Sequence, residues 1–239
     1  MKTFKALSAL ISYPTPELQT AGPDLRKVLA DEAVLDDPAR SALGRLIDEV
    51  AATEIYDLQE QYLLLFDRTR SLSLHLFEHV HGESRDRGQA MIDLKALYEA
   101  SGLAISATEL PDYLPMFLEY LSTRPLDEAK ALLAQTAHIL DAIGERLGRR
   151  NSAYAAVFRA LVSLAPPAET EAKAGLVGEE ERPDDLAALD AAWEDKPVSF
   201  GPEAASGCRD DLIARLRAAM RPATPGEDAS PIPREDSHA

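Results

Sequence analysis

Apolar residues recur every three or four positions along most of the first 164 residues, the spacing of one buried face on successive helices. Phe4, Leu7, Leu10 and Ile11 make the first stripe, ended by Pro14. Leu25, Val28 and Leu29 follow Pro23. Leu43, Leu46, Ile47 and Val50 follow Pro38, which suits the first turn of a helix. Ile55, Leu58, Tyr62, Leu65 and Phe66 make a fourth stripe, and Met91, Leu94 and Leu97 continue after Gly88. "SATE" at 106–109 has the form of a capping box ahead of Leu110, Leu114, Phe117, Leu118 and Leu121, which predicts a helix over 108–122. The longest helix is predicted from about Pro125 to Arg150. Asp127 and Glu128 sit at its start and Arg149 and Arg150 at its end, as the helix dipole favours. A last core helix is predicted over roughly 152–164.

Beyond "APPAETEAK" the character changes. Residues 166–239 hold nine of the sixteen prolines and 17 acidic against 8 basic residues, the composition of a weakly ordered extension. Two helix-like islands interrupt it, near 184–194 and 209–220. The second places Leu212, Ile213, Leu216 and Met220 on one face, able to dock on the body or on a partner. The organisation expected is one all-helical domain over 1–165 and an acidic, proline-rich extension over 166–239.

Composition supports the all-α class. Hydrophobic residues make up 46% of the chain, with alanine and leucine, both strong helix formers, prominent among them, whereas aromatics are only 6%. The net charge of −16 repels nucleic acid and anionic membranes, so neither is expected as a partner. The single cysteine, Cys208, forbids an internal disulfide, in keeping with a reducing cytoplasm. No segment reaches the roughly 20 apolar residues of a membrane span. The opening run, "MKTFKALSALISYPTPELQ", is interrupted by Ser8, Ser12 and Tyr13-Pro14, which argues for a first amphipathic helix rather than a signal peptide.

One motif carries candidate chemistry. His75, Glu78 and His79 spell H-x-x-E-H, the inverted zinc-peptidase pattern, in which two histidines a helical turn apart hold zinc and the glutamate activates water. A zinc site needs a third ligand and a shaped pocket, and the sequence designates neither, so no metal or cofactor is assigned. The bland alternative puts both histidines at a helix seam, hydrogen-bonded to backbone or carboxylate, with Leu74, Phe77 and Val80 buried beside them. The stretch around them is locally neutral within an acidic chain. Arg68, Arg70, Arg85 and Arg87 balance Asp67, Glu78, Glu83 and Asp86, flanking a histidine-bearing helix. Internal ion pairs or a rigid polar surface for another chain both fit that arrangement.

Three stretches together carry a family resemblance: "EQYLLLFDRTRSLSLHLFEHVHGESRDRGQAMIDL" (60–94), "DYLPMFLEYLS" (112–122) and "LDAAWEDKPVSFG" (189–201). They resemble the NarJ family, the assembly chaperones of respiratory nitrate reductase within the TorD/DmsD/NarJ group. The resemblance runs from the N-terminus to about Gly201. It implies a single helical-bundle domain, no catalysis, and no cofactor of its own. It implies a cytoplasmic protein that binds the N-terminal, leader-like segment of the catalytic subunit until molybdenum cofactor insertion, with cofactor-delivery proteins as further candidate partners. The family's aromatic–leucine–phenylalanine element falls on Tyr62, Leu65 and Phe66. Its acidic-to-glutamate element falls on Asp112, Leu114, Pro115, Glu119 and Tyr120, with Tyr113 where the family often has histidine. The signature segment falls on Arg68, Arg70, His75, Glu78, His79, His81, Arg85 and Arg87. In this reading the H-x-x-E-H pattern is coincidental. A zinc-dependent hydrolase and a purely structural helical adaptor are the competing readings.

An amphipathic leader helix can lie in an apolar groove between helices. Leu65, Phe66, Tyr113, Leu114, Phe117 and Tyr120 are candidate walls, although ordinary core burial fits Leu65, Leu114 and Phe117. Tyrosines suit a half-exposed wall with a wet hydroxyl, which favours Tyr62, Tyr113 and Tyr120. Tyr113 and Tyr120 are expected on one face of the 108–122 helix with Glu119 beside them, and Glu119 and Asp112 are placed to meet a basic leader.

Overall fold

The computed structural model describes residues 1–80, 85–105 and 109–166, the side chains of Arg85 and Asp86 excepted. The extension after Pro166, its helices near 184–194 and 209–220, and His81 lie outside the described residues, as do most of "SATE" and the 189–201 stretch. Among the described residues nine α-helices run in order: α1 Lys2–Leu10, α2 Pro16–Thr20, α3 Gly22–Glu32, α4 Asp37–Ala52, α5 Ile55–Phe66, α6 Arg85–Ala100, α7 Leu114–Ser122, α8 Leu126–Arg149 and α9 Ala155–Leu164. Among the described residues, β structure is confined to one bridge, His75 with Tyr113. The all-α class is therefore what this sequence folds into.

Local chemistry sets the helix ends. Thr15 caps α2 and Asp36 caps α4, each accepting from a backbone N–H three residues on, with a proline in the first turn of both helices. Glu54 accepts from the N–H groups of Tyr56 (2.8 Å) and Asp57 (3.3 Å) at the start of α5. The first N–H groups of α1 are satisfied from a distance, because Glu32 at the end of α3 accepts from Lys2 N and Thr3 N, both at 2.8 Å. Left-handed residues turn the chain after α3 (Ala33, φ 48°) and after α8 (Asn151, φ 53°).

Most of the apolar stripe positions are buried as the periodicity predicts, while Leu110 is exposed and Leu25, Val28, Met91 and Leu97 are only partly covered. Phe4, Leu7 and Ile11 of the first stripe are fully buried. The α1 helix packs on α7, where Ser8 Oγ donates to the Pro115 carbonyl at 2.7 Å. At the other side α9 lies along α8. A Cβ at Gly144 would stand 3.1 Å from the Phe158 Cβ, so the glycine permits this close approach. Leu132, Ile139, Leu140 and Ile143 of α8 and Phe158 and Leu161 of α9 have no exposure.

Two expected helices differ. The 108–122 helix begins only at Leu114, since Pro111 biases the residue before it away from helical backbone and Pro115 supplies the first turn of the true α7. The supposed histidine-bearing helix is a pair of short 3₁₀ turns, Arg70–Leu72 and Leu76–Glu78, joined by extended backbone. Between the two turns its backbone bonds to the 112–114 stretch rather than continuing a helix. Leu114 N donates to the Leu74 carbonyl (2.8 Å) and Leu76 N to the Asp112 carbonyl (3.0 Å).

Candidate functional site

The irregular 69–79 segment, the end of α5 and the start of α7 enclose a cleft of about 360 Å³. The α5 wall supplies Tyr62, Leu63, Phe66 and Asp67. The floor and far wall are Thr69, Arg70, Ser73, Leu74, His75 and Glu78, with Tyr113 at the α7 entry. Arg146 of α8 anchors the segment by donating to the Ser71 carbonyl at 2.8 Å.

Tyr62 stands at the centre of an aromatic cluster. Its ring lies 4.9 Å from Phe66, 5.6 Å from Tyr13 and 6.2 Å from Tyr154. Its hydroxyl donates to the Ile11 carbonyl at 2.8 Å, which leaves the Tyr113 hydroxyl, 3.2 Å away, to donate to it. Burial pushes both phenols up, so both stay protonated in the neutral range. The link joins α5 to the residue just before α7 across the cleft.

Asp112 is the second fixed point. Fully buried, it accepts from His75 Nδ1 (3.1 Å) through one oxygen and from Phe77 N (3.2 Å) through the other. The hydrogen bond to Asp112 raises the pKa of His75, against the opposing effect of burial. His75 also stacks at a tilt on Tyr113, centroids 5.4 Å apart. His79 turns elsewhere and donates Nε2–H to the Ser73 carbonyl at 2.8 Å, while burial lowers its pKa. Glu78 pairs with Arg87 of α6 at 3.3 Å.

This geometry does not support the zinc reading. A zincin places its two histidines one α-helical turn apart on one face, and here no α-helix spans 75–79. Each imidazole already spends a nitrogen on a different partner. Among the described residues no group of three metal-capable side chains gathers. The alternative expectation for the histidines, bonding to carboxylate and to backbone, is what His75 and His79 do.

The structure brings Tyr62, Phe66 and Tyr113 together with Arg70, His75 and Glu78, and Asp112 supports them from beneath. It does not bring Tyr120 to them. That side chain is fully buried against Tyr98, centroids 5.0 Å apart, so the expectation of a groove face shared with Tyr113 is corrected. Starting at Leu114, α7 leaves Tyr113 outside the helix, and the seven-residue spacing no longer aligns the two rings. Leu114 and Pro115 are also buried. Leu65 is half-buried, and Glu119 is exposed but does not line the cleft.

Tyr56, Leu63 and Leu64 went unremarked in the sequence. They form the outward face of α5, with Tyr56 76% and Leu63 43% exposed. With Gln59, Glu60, Asp67 and Arg68 they line a shallow groove of about 630 Å³ that meets the cleft at Leu63 and Asp67. The signal was present in "YLLLF", since five consecutive apolar residues exceed what one buried stripe needs.

Residues 32–160 match the family model described as nitrate reductase delta subunit. The chain is 43% identical over 208 residues to the nitrate reductase molybdenum cofactor assembly chaperone NarJ of Escherichia coli (strain K12), covering 87% of each. It is 41% identical over 210 residues, again 87% of each, to the probable chaperone of the same description, NarW, from that strain. A probable NarJ of Bacillus subtilis (strain 168) is 29% identical over 161 residues, 67% of this chain and 86% of the relative.

Proposed function

Because the chain belongs to the nitrate reductase delta subunit family, we propose that it is a dedicated assembly chaperone for a respiratory nitrate reductase. It binds the N-terminal, leader-like segment of the catalytic subunit and holds that subunit in the cytoplasm until the molybdenum cofactor is inserted. It performs no catalysis itself. The name shared by its relatives supports the assembly role. No described helix is long and apolar enough to cross a membrane, which is compatible with a cytoplasmic site of action.

The observation that carries the binding mode is the apolar outer face of α5 running into the cleft. An amphipathic peptide helix anchored at i, i+3 and i+7 lies across Leu63 and Leu64 and turns an aromatic or aliphatic side chain toward Tyr62, Phe66 and Tyr113. Leu65 flanks this line, half-buried. Glu60 and Asp67 at the rim attract a basic leader. Asp112 and Leu114 act from within, bonding to the 74–77 backbone that forms the cleft wall, while Pro115 and Tyr120 belong to the core behind it. Titration calorimetry of the full chain with a synthetic peptide of the catalytic subunit's N-terminal residues tests the reading. Binding weakened by Leu63→Ser and by Tyr113→Ala, with Glu119→Gln unaffected, is the expected result. No binding to the parent chain overturns it.

A further inference from the structure

Before any client arrives, the outer face of α5 leaves Tyr56, Leu63 and Leu64 uncovered, a cost that a second segment can relieve. The extension contains a segment of matching chemistry. Residues 209–220 read "RDDLIARLRAAM", in which Leu212, Ile213, Leu216 and Met220 fall on one side at helical spacing. Within the segment Arg209, Arg215 and Arg217 outnumber Asp210 and Asp211, and Arg221 follows directly, so this is a mildly basic island in an otherwise acidic extension. The α5 rim has the opposite sign, with Glu54, Asp57, Glu60 and Asp67 against Arg68. A basic, apolar-faced twelve-residue segment thus meets an acidic, apolar-faced helix of twelve residues.

Reach does not limit the contact. Tyr154, immediately before α9, lies 5.2 Å ring to ring from Phe66 of α5. The α9 helix is about 15 Å long, and residues 165–208 span more than about 140 Å when extended. The geometry points to residues 209–220 as an internal occupant of the outer α5 face, seated there when no client is bound and displaced by the client segment. This rests on the client-binding reading above for the displacement, though not for the seating. The extension then keeps the apolar face covered and sets a threshold that only a better-fitting leader overcomes.

Cys208, the sole cysteine, precedes the segment and reports its position. Asp57→Cys and Arg68→Cys place a partner thiol at each end of α5, and Lys27→Cys on α3 serves as the control, all in the full chain under mild oxidation. Seating makes at least one α5 thiol form an intramolecular disulfide with Cys208 about tenfold faster than the control, the gain in effective concentration that a docked segment supplies. Adding Leu212→Asp with Leu216→Asp returns that rate to the control, and saturating client peptide slows it. Equal rates in all three two-cysteine variants overturn the proposal. So does a disulfide that forms only between molecules, which assigns the face to a second copy. Calorimetry keeps the two readings separate. Peptide binding without preferential cross-linking refutes the internal occupant alone, and preferential cross-linking without peptide binding refutes the client reading alone.

Discussion

Helices α8 and α5 use their apolar residues in opposite ways. In α8, 24 residues long, the apolar positions form one stripe, and Leu132, Ile139, Leu140 and Ile143 vanish beneath α9 and the rest of the core. Its charged residues take the other side, so everything apolar in the helix is explained by the fold. In α5, half that length, Leu58, Tyr62 and Phe66 already supply the buried side, yet Tyr56, Leu63 and Leu64 add a second apolar side facing out. The surplus is what the fold leaves unexplained. Next to it the chain abandons helix for the 69–79 segment, whose shape is held by Asp112, Arg146 and the Tyr62–Tyr113 link. The sealed side of the molecule is built for stability, and the α5 side keeps apolar surface outward, the surface on which the proposed client binding rests.

If this contrast is right, damage to the sealed side costs the most. Phe158→Ala empties a site with no exposure between α8 and α9, and should destabilise the chain by about 3–5 kcal/mol, read from urea unfolding midpoints. A loss below about 1 kcal/mol would mean the α8–α9 seam is plastic and the contrast false. Asp112→Ala comes next. It strips the Phe77 N–H of its acceptor and His75 of its partner inside a buried pocket, at a cost of about 1–3 kcal/mol. Hydrogen exchange should show the loss locally, with faster exchange of the Phe77 amide. Unchanged exchange there would remove Asp112 from its role under the cleft.

The sequence foretold the sealed side well and the cleft poorly, for a physical reason. Helix α8 follows from period, acidic start and basic end, all local signals, and its observed span of 126–149 nearly matches the predicted 125–150. The 69–79 segment is shaped by bonds to residues roughly forty positions away, so nothing in "SLHLFEHV" announced that Leu74 and Leu76 would pair with 112–114. Local periodicity there suggested a helix that tertiary hydrogen bonds override. Tyr120 failed for a related reason, because Pro111 and Pro115 moved the start of α7 and a face drawn from residue 108 pointed the wrong way. Tyr62 and Phe66 carried a readable stripe, whereas Leu63 and Leu64 beside them are legible only once the buried side is known to be complete.

The outward surplus itself is tested by removing it. Leu63→Ser with Tyr56→Ala should leave stability within about 0.5 kcal/mol, since exposed residues contribute little to the core. The same pair should weaken client-peptide binding by about 1–2 kcal/mol, mainly through faster release. Thermal melts and calorimetry on one preparation give both numbers. Destabilisation equal to that of Phe158→Ala would mean these residues serve the fold after all.

The smallest effect separates the two histidines of the cleft segment. His75 is raised by its hydrogen bond to Asp112, so its contribution to stability is fully present below the ordinary imidazole value of about 6.5 and is lost as pH climbs through the raised folded value. His79 is lowered by burial, so the folded chain holds it neutral while the unfolded chain takes up a proton. Its contribution therefore declines as pH falls below about 6.5. The two act on opposite sides of that value, so in the parent chain the contribution of this segment should be greatest near pH 6.5 and decline both above and below it. His75→Gln leaves only the His79 effect, so stability relative to the parent should fall as pH drops from about 7.5 to 5.5. His79→Gln leaves only the His75 effect and should move the other way, gaining relative to the parent over the same interval. Urea midpoints at three pH values, each variant referred to the parent, cancel the carboxylates common to all three chains. Parallel pH slopes in the two variants would show that Asp112 does not hold the proton on His75, and the polar side of the cleft would then be a passive scaffold for the aromatic one.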